Sequence, residues 1–346
     1  MFLRYVHNFR AIAIVVIVAG HAAVTGSWPA DSPVQDLLLD LLDNGTVLFV
    51  FVAGFLFHHL AGRYRYRDYL TRKATNVLVP YLLIMVPAAL YTVLLADPGP
   101  TEPALAGLPR ALQVGWIVLH GGPTFNYPLW FIPMIALFYL AAPVLIRFVR
   151  HPRLYLVLVV AVPFSVLAHR PPELDTPAIA LYFLPAYLAG MWASQYRDRL
   201  EPVLDRWWGA LLAAFLLAVL AQFAFAGWHG NYYGSALFSQ EHGPVDWIFA
   251  QKLLLCFALL AVLRRLDGVI GDRLRLLGDV SFTIFFLHGA VLFAAEAAYA
   301  RFPGGAVPGN PMTFALLAVA ACVLPVLAAA VVQRMAGRRS RYLIGS

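Results

Sequence analysis

The stretch FRAIAIVVIVAGHAAVTGSW, residues 9–28, decides the class of fold. An α-helix needs about 20 mostly apolar residues to cross a hydrocarbon core of about 30 Å, and this stretch has that length. It contains two ionisable side chains, Arg10 and His21. Because ionisable groups are costly to bury in lipid, those inside membrane spans are candidates for function. The sequence therefore begins with a predicted membrane helix that holds two candidate functional residues.

Similar apolar runs recur along the whole chain. Hydrophobic residues make up 61% of the 346 residues and charged residues 12%, whereas soluble proteins average about half and about a quarter. We therefore predict an all-α polytopic membrane protein in which residues 1–346 form a single transmembrane domain of about ten helices. A weaker segment, 104–120, is predicted to be a re-entrant or surface helix. The predicted spans are 9–28, 41–60, 77–96, 129–148, 154–169, 178–196, 207–228, 247–263, 280–300 and 312–333.

The basic residues predict how these helices are oriented, because Lys and Arg accumulate in the short cytoplasmic loops of membrane proteins. With the N-terminus in the cytoplasm, 21 of the 25 basic residues fall at cytoplasmic ends of spans. The opposite loops hold only Arg110, Arg170 and Arg301, beside ten acidic residues. We therefore predict that both termini are cytoplasmic.

The sequence lacks the patterns of several common chemistries. It has no Walker A sequence, no G-x-S-x-G and no His/Cys spacing typical of metal sites, so we predict no metal ion and no tightly bound cofactor. The two cysteines, Cys256 and Cys322, lie inside apolar runs and indicate no disulfide framework. The net charge of +7 is spread over the loops without a binding motif, so we expect no nucleic-acid partner.

Arg10 and His21 share one face of the first predicted helix. His21 follows Arg10 by eleven residues, which is about three turns plus about 20° at about 100° per residue. The same spacing is roughly 16 Å along the axis, so an Arg10 at the cytoplasmic boundary places His21 near mid-membrane. The alternative is that Arg10 is an ordinary cytoplasmic anchor and His21 a hydrogen-bonded packing residue.

A second histidine, His288, is predicted at a similar depth, roughly 12 Å from the start of the ninth span. Two histidines that converge in a water-accessible cavity would suit acid-base chemistry, because imidazole titrates close to working pH. The alternative for His288 is a packing role. Near the outer ends of their spans, Lys252 and Glu296 are predicted to pair with each other, and the alternative is that Lys252 extends its ammonium group to the interface.

Together these segments resemble the acyltransferase 3 family of bacterial membrane acyltransferases. The resemblance runs from residue 4 to about residue 333 and depends on the order of several motifs. The sequence differs from the usual family pattern at Ala53, Asn76 and Phe285. The matching segments are Arg10-x10-His21, the second-helix motif Leu48 to Phe55, the basic stretch Tyr69 to Tyr81 with Arg72, Lys73 and Pro80, the motif Leu129-Trp130-Phe131, and the helix motif Ser281 to His288.

The resemblance implies an acyltransferase 3-type helix bundle in the bacterial cytoplasmic (inner) membrane. It implies that the protein transfers an acyl group, most often acetyl, from cytoplasmic acyl-CoA to a hydroxyl of a carbohydrate or glycosylated small molecule. The lipid bilayer, acyl-CoA and this acceptor are therefore the expected partners. Arg10, Arg72 and Lys73 are expected to bind the phosphates of CoA.

The same resemblance makes His21 and His288 the expected catalytic residues. His21 would remove the proton of the acceptor hydroxyl, or would form a covalent acyl-histidine, and the sequence leaves both routes open. His288 would orient His21 or stabilise the developing oxyanion.

The acceptor side is predicted from aromatic residues. Trp130, Tyr232 and Tyr233 are our candidates for binding the acceptor, because aromatic faces can stack on sugar rings. The alternative is that the aromatic residues of the outer loop 228–247, which includes Tyr232 and Tyr233, form an interfacial belt. Two competing functions also remain open: a transporter or flippase for a glycolipid or small solute, and an inactive relative that acts as a membrane sensor.

Overall fold

The computed structural model describes residues 3–96, 103–122, 124, 127–234, 241–272, 274–302 and 304–345. Within these residues the chain forms α-helices and short 3₁₀ or π segments, with no β-strand, as the sequence predicts. The helices are α1 (Arg4–Thr25), α2 (Pro33–Leu42), α3 (Thr46–His59), α4 (Tyr66–Lys73), α5 (Val79–Tyr91), α6 (Arg110–His120), α7 (Phe131–Leu140), α8 (Ala142–Arg150), α9 (Leu158–Leu167), α10 (Thr176–Gln195), α11 (Arg197–Phe225), α12 (Trp247–Arg265), α13 (Asp267–Ile270), α14 (Arg275–Asp279), α15 (Ser281–Tyr299), α16 (Pro311–Ala336) and α17 (Ser340–Ile344).

Eight helices of the described chain are long and apolar enough to cross a membrane. A ninth span results if the pair 128–140 and 142–150 is counted as one, although the pair is bent by 56°. The apolar helix Pro152–Leu167 is shorter than the eight. Each predicted span corresponds to one of these segments, but the number ten stays a prediction. The bend follows from Pro143 at the start of α8, because proline has no N–H to continue the helical ladder.

The third span begins earlier than predicted. We placed its start at residue 77, whereas the helical segment extends over Tyr66–Leu95 and includes α4. The hydropathy signal misses α4 because this helix is mostly polar, with Arg72 and Lys73 in its last turn. A π-helical segment, Ala74–Leu78, joins it to α5. Arg72 and Lys73 are therefore helical residues with fixed directions and do not belong to a loop.

The second span is broken between α2 and α3. Asn44 at the break has a φ of 56°, a left-handed conformation that asparagine tolerates better than most residues. The next residue, Gly45, packs against α1, where an added Cβ would lie 3.1 Å from both Val16 and Ile17. The break therefore fits directly against α1, one turn before His21.

Helices α3 and α10 cross at a point where their backbones touch. An added Cβ at Gly54 would overlap the carbonyl oxygen of Tyr187, and one at Gly190 would overlap that of Phe51. Small residues permit this approach between membrane helices, where packing replaces the hydrophobic effect as the driving force. Gly54, part of the second-helix motif, is thus explained by packing.

The first helix lies at the centre of the bundle and contacts α2, α3, α12, α14, α15 and α16. Its alignment with α15 is fixed at two levels. Near the start of both helices, the Arg10 guanidinium donates to Ser281 Oγ at 2.8 Å. Further along both, the ring centroids of His21 and His288 are 5.3 Å apart. The two helices therefore run in the same direction and bring the predicted catalytic histidines together.

Candidate active site

A cavity of about 490 Å³ lies at the end of the bundle where α1 begins and α3 ends. Among the described residues, no carboxylate lines it. A concave surface lined by one sign of charge concentrates ligands of the opposite sign, so the cavity suits an anion. We call it the basic pocket, after the five cationic side chains in its wall: Arg10, Arg65, Arg72, Lys73 and Arg341.

The structure brings together all three residues that we predicted for acyl-CoA, namely Arg10, Arg72 and Lys73. Arg65 and Arg341 also line the pocket, and the sequence analysis assigned them only to cytoplasmic loops. Arg65 lies just before the basic stretch Tyr69 to Tyr81, so its sequence position was a usable signal. Arg341 belongs to α17 at the far end of the chain, and no motif connects it to the others.

Aromatic rings hold two of these cations in place. The Lys73 ammonium lies 4.8 Å from the centroid of the Tyr139 ring, and the Arg10 guanidinium lies 5.7 Å from that of Phe282. Cation–π contacts orient a cation without neutralising its charge. Arg10 and Lys73 therefore remain able to bind an anionic ligand.

The inner end of the basic pocket is closed by Phe49 and Phe131, whose rings pack edge to face with centroids 6.1 Å apart. Both residues also line a second, much smaller cavity on the other side. We call this pair the phenylalanine partition. It lies between the cationic surface of the basic pocket and the cavity lined by His21.

The second cavity, which we call the histidine cavity, contains His21 in its wall together with Thr46 and Trp130. Its volume is about 10 Å³, which is close to the minimum that holds one water molecule. His288 lies behind His21, with its ring tilted by 33°. The arrangement leaves room beside His21 for a small group only.

The hydrogen bonds of His288 fix its tautomer. Its Nδ1 lies 3.0 Å from the carbonyl oxygen of Ile284 and 2.8 Å from that of Phe285. Carbonyl oxygens only accept, so Nδ1 must carry a proton, and in the neutral ring Nε2 then presents a lone pair. This Nε2 is buried and has no partner among the described residues. The neutral ring can therefore accept a hydrogen bond from His21 or a substrate, but it cannot donate one to an oxyanion.

Arg170 is a site residue that the sequence analysis missed. Its side chain is only 3% exposed, and its guanidinium carbon lies 5.1 Å from the ring centroid of Trp130 and 5.0 Å from that of Tyr233. It donates to Glu173 at 2.8 Å and to Asn231 at 2.9 Å. Arg170 was detectable as one of only three basic residues in the loops predicted to face away from the cytoplasm.

The three predicted acceptor residues meet at Arg170 in different ways. Trp130 and Tyr233 contact its guanidinium with their rings, while Tyr232 contributes its carbonyl oxygen, which accepts from the Arg170 amide at 2.7 Å. The Tyr232 ring is buried. Of the three, only Trp130 lines the histidine cavity.

Lys252 is fully buried and donates to the carbonyl oxygen of Asp40 at 3.1 Å. It therefore does not extend to the interface, and Glu296, which is exposed, is not the residue that it bonds. Both predictions for Lys252 were wrong, because its surroundings come from helices distant in sequence. Its ammonium interacts electrostatically with the three carboxylates of Asp40, Asp43 and Asp246.

Asp246, which immediately precedes α12, connects this cluster to the rest of the bundle. It accepts from the Phe249 amide at 2.8 Å as the helix cap and from the Tyr182 hydroxyl at 2.6 Å. Burial raises the pKa of Asp246 to about 6, although both hydrogen bonds oppose this change. Tyr182 in turn accepts from Asn44 at 2.9 Å, so the cluster also holds the break in the second span.

Comparison with known proteins identifies the family. The model of the acyltransferase domain of the acyltransferase 3 family matches residues 3–331. The chain belongs to the acyltransferase 3 family. No curated protein and no solved structure matches the chain. Family membership makes this protein a membrane acyltransferase.

Proposed function

We propose that this acyltransferase transfers an acetyl group from cytoplasmic acetyl-CoA to a hydroxyl of a carbohydrate or glycosylated acceptor, with His21 as the base. The observation that supports this most strongly is the position of the basic pocket. It lies directly across the phenylalanine partition from the His21–His288 pair. A thioester donor with phosphates in the pocket would point its acyl end toward the histidines.

The donor side is supported by the chemistry of the pocket. CoA carries phosphates, and guanidinium groups bind phosphate through paired, charge-assisted hydrogen bonds. The pocket is at the end of the bundle where the chain concentrates its arginines, which by the positive-inside rule faces the cytoplasm. We therefore place both termini and the acyl-CoA site on the cytoplasmic side of the bacterial inner membrane.

In the proposed reaction, the acceptor hydroxyl gives its proton to His21 as its oxygen attacks the thioester carbonyl carbon. The carbonyl π electrons move to oxygen, and the intermediate collapses by breaking the C–S bond. The CoA thiolate leaves and takes the proton from His21. The Nε2 lone pair of His288, fixed by the hydrogen bonds at Nδ1, is available to orient His21.

Removal of a cation from the basic pocket is expected to weaken donor binding. Because a hydrogen bond to a charged group contributes about 1.5–3 kcal/mol, Arg10→Ala and Arg72→Ala should each raise the KM for acetyl-CoA by about 10- to 100-fold. The turnover number should change much less. Arg150→Ala, which removes an exposed arginine that does not line the pocket, is the matched control. Unchanged KM values in both pocket variants would refute the assignment of the donor site.

The phenylalanine partition is expected to limit the length of the acyl chain. The histidine cavity of about 10 Å³ holds about one water molecule, so even an acetyl group must displace part of the partition, and a longer acyl chain must displace more of it. Replacement Phe131→Ala should therefore raise the ratio of butyryl to acetyl transfer by about 10-fold or more, since each excluded methylene is worth about 1–3 kcal/mol. Phe138→Ala is the control, because Phe138 lies on the same helix but stacks on Tyr187 away from the histidine cavity. An unchanged ratio in Phe131→Ala would contradict this role.

A further inference from the structure

Trp130 has a buried hydrogen-bond donor without a partner. Its side chain is 3% exposed, and its indole Nε1 has no acceptor among the described residues. Buried polar groups are almost always paired, so an unpaired one requires an explanation. Trp130 lines the histidine cavity together with His21. The unused N–H therefore belongs to a residue in the wall where the proposed chemistry takes place.

The proposed reaction needs a donor at this place. Attack on the thioester places negative charge on the former carbonyl oxygen, and enzymes stabilise such charge with donors that are already positioned. His288 was our candidate for this role. However, its Nδ1–H is already donated to backbone carbonyls and its Nε2 is a lone pair. Another donor must therefore serve the oxyanion.

The surroundings of Trp130 strengthen its N–H as a donor. The Arg170 guanidinium lies 5.1 Å from the centroid of the Trp130 ring, and a cation over an indole face draws electron density from the ring, which makes the N–H more acidic. The Arg170 Nε is itself buried without a partner among the described residues. The Trp130 indole N–H and the Arg170 Nε–H are thus both buried, and neither donates a hydrogen bond within the described part of the chain.

The position of Trp130 is fixed by its backbone and its ring. Gly121, with a φ of 84°, packs so tightly that an added Cβ would overlap the Trp130 backbone. The Phe183 ring stacks on the indole at 21° with centroids 6.3 Å apart. Such a side chain cannot reorient when the charge develops, and this preorganisation makes an oxyanion donor effective.

From this geometry we infer that the Trp130 indole N–H donates to the oxyanion of the acyl-transfer intermediate, with Arg170 above its ring increasing the strength of that hydrogen bond. The inference rests on the proposed function. In the step itself, the acceptor oxygen forms the new bond to carbon, its proton goes to His21, and the carbonyl electron pair moves onto the oxygen that Trp130 binds. When the C–S bond breaks, that pair returns to form the ester carbonyl.

Two replacements separate the N–H from the ring. Trp130→Phe removes the donor and keeps an aromatic ring, while benzothienylalanine at position 130 keeps the bicyclic shape and replaces only the N–H by sulfur. Each should lower kcat by about 100- to 1,000-fold, the usual loss for one oxyanion donor, and leave the KM for acetyl-CoA within about two-fold. The matched control is Trp192→Phe, since Trp192 packs on Tyr196 and Phe257 away from the cavity.

The measurement is single-turnover transfer of labelled acetyl in membranes, with the thermal midpoint of each purified variant recorded beside it. A benzothienylalanine variant that is folded and transfers acetyl at the wild-type rate would overturn the inference while leaving the proposed function intact. Loss of kcat with unchanged KM in this variant, but not in Trp192→Phe, would support it. If the wild-type protein transfers no acetyl from acetyl-CoA, the proposed function fails, and the inference fails with it.

Discussion

Replacement His21→Ala is expected to abolish acyl transfer, with a loss of rate of about 100- to 10,000-fold, the range that a positioned general base contributes. His21 is the histidine that lines the histidine cavity, directly across the partition from the cationic surface. Because His21 does not line the basic pocket, CoA binding should persist. Transfer of labelled acetyl and the dissociation constant for CoA, measured on the same membranes, test both expectations.

The control for this experiment is His151→Ala, which removes an exposed histidine between α8 and α9. It should transfer acetyl at the wild-type rate. Transfer that continues unchanged in His21→Ala would refute the mechanism. If wild-type protein instead moves a solute across vesicles and never transfers acetyl, the polar groups around Arg170 and His21 line a transport path, and the transporter reading is correct.

Replacement Lys252→Met is expected to destabilise the protein by about 3–5 kcal/mol, because it removes a buried cation from beside the carboxylates of Asp40, Asp43 and Asp246 and leaves Arg170 as the remaining guanidinium near them. Asp40 and Asp246 are buried, as is the ammonium between them. Methionine fills most of the volume, so the effect reports the charge and not a cavity. The thermal midpoint of the detergent-solubilised protein measures it.

The chain contains one other lysine, which makes the control unusually direct. Lys73→Met applies the same chemical change in the basic pocket, where no carboxylate of the described chain lines the wall. Its midpoint should stay close to that of the wild type, while its KM for acetyl-CoA rises. Equal midpoints for both variants would show that the Lys252 cluster does not stabilise the fold.

The helical fold was predictable because apolar runs and loop charges report directly on the lipid solvent. The first span and its Arg10–His21 face are local features of one helix, so spacing alone described them. What local patterns could not show was how helices deviate from ideal spans. The polar helix α4 and the break at Asn44 depend on neighbours that accept charged or unwound segments.

The residues of the candidate site also fall into those that local motifs reveal and those that depend on distant partners. Residues within recognisable motifs are grouped as the sequence predicts. His21 lies beside His288, and Lys73 lies in one pocket with Arg10 and Arg72. Arg170 stood out as a basic residue in an outer loop, but its role and that of Arg341 could not be assigned because their partners are distant: Arg170 bonds Asn231 across 61 positions of the chain. Long-range pairing of this kind exists only after the bundle has formed.

The backbone contacts of Gly54 with Tyr187 and of Gly190 with Phe51 couple α3 and α10 into one rigid body, because neither helix can shift without separating from the other. Phe49 belongs to that body. Phe131 instead begins α7 directly after a single 3₁₀ turn, on the helix that ends at the 56° bend. A donor that reaches toward His21 is therefore expected to displace the ring of Phe131, so that Phe131 would be the movable side of the passage and Phe49 its fixed side.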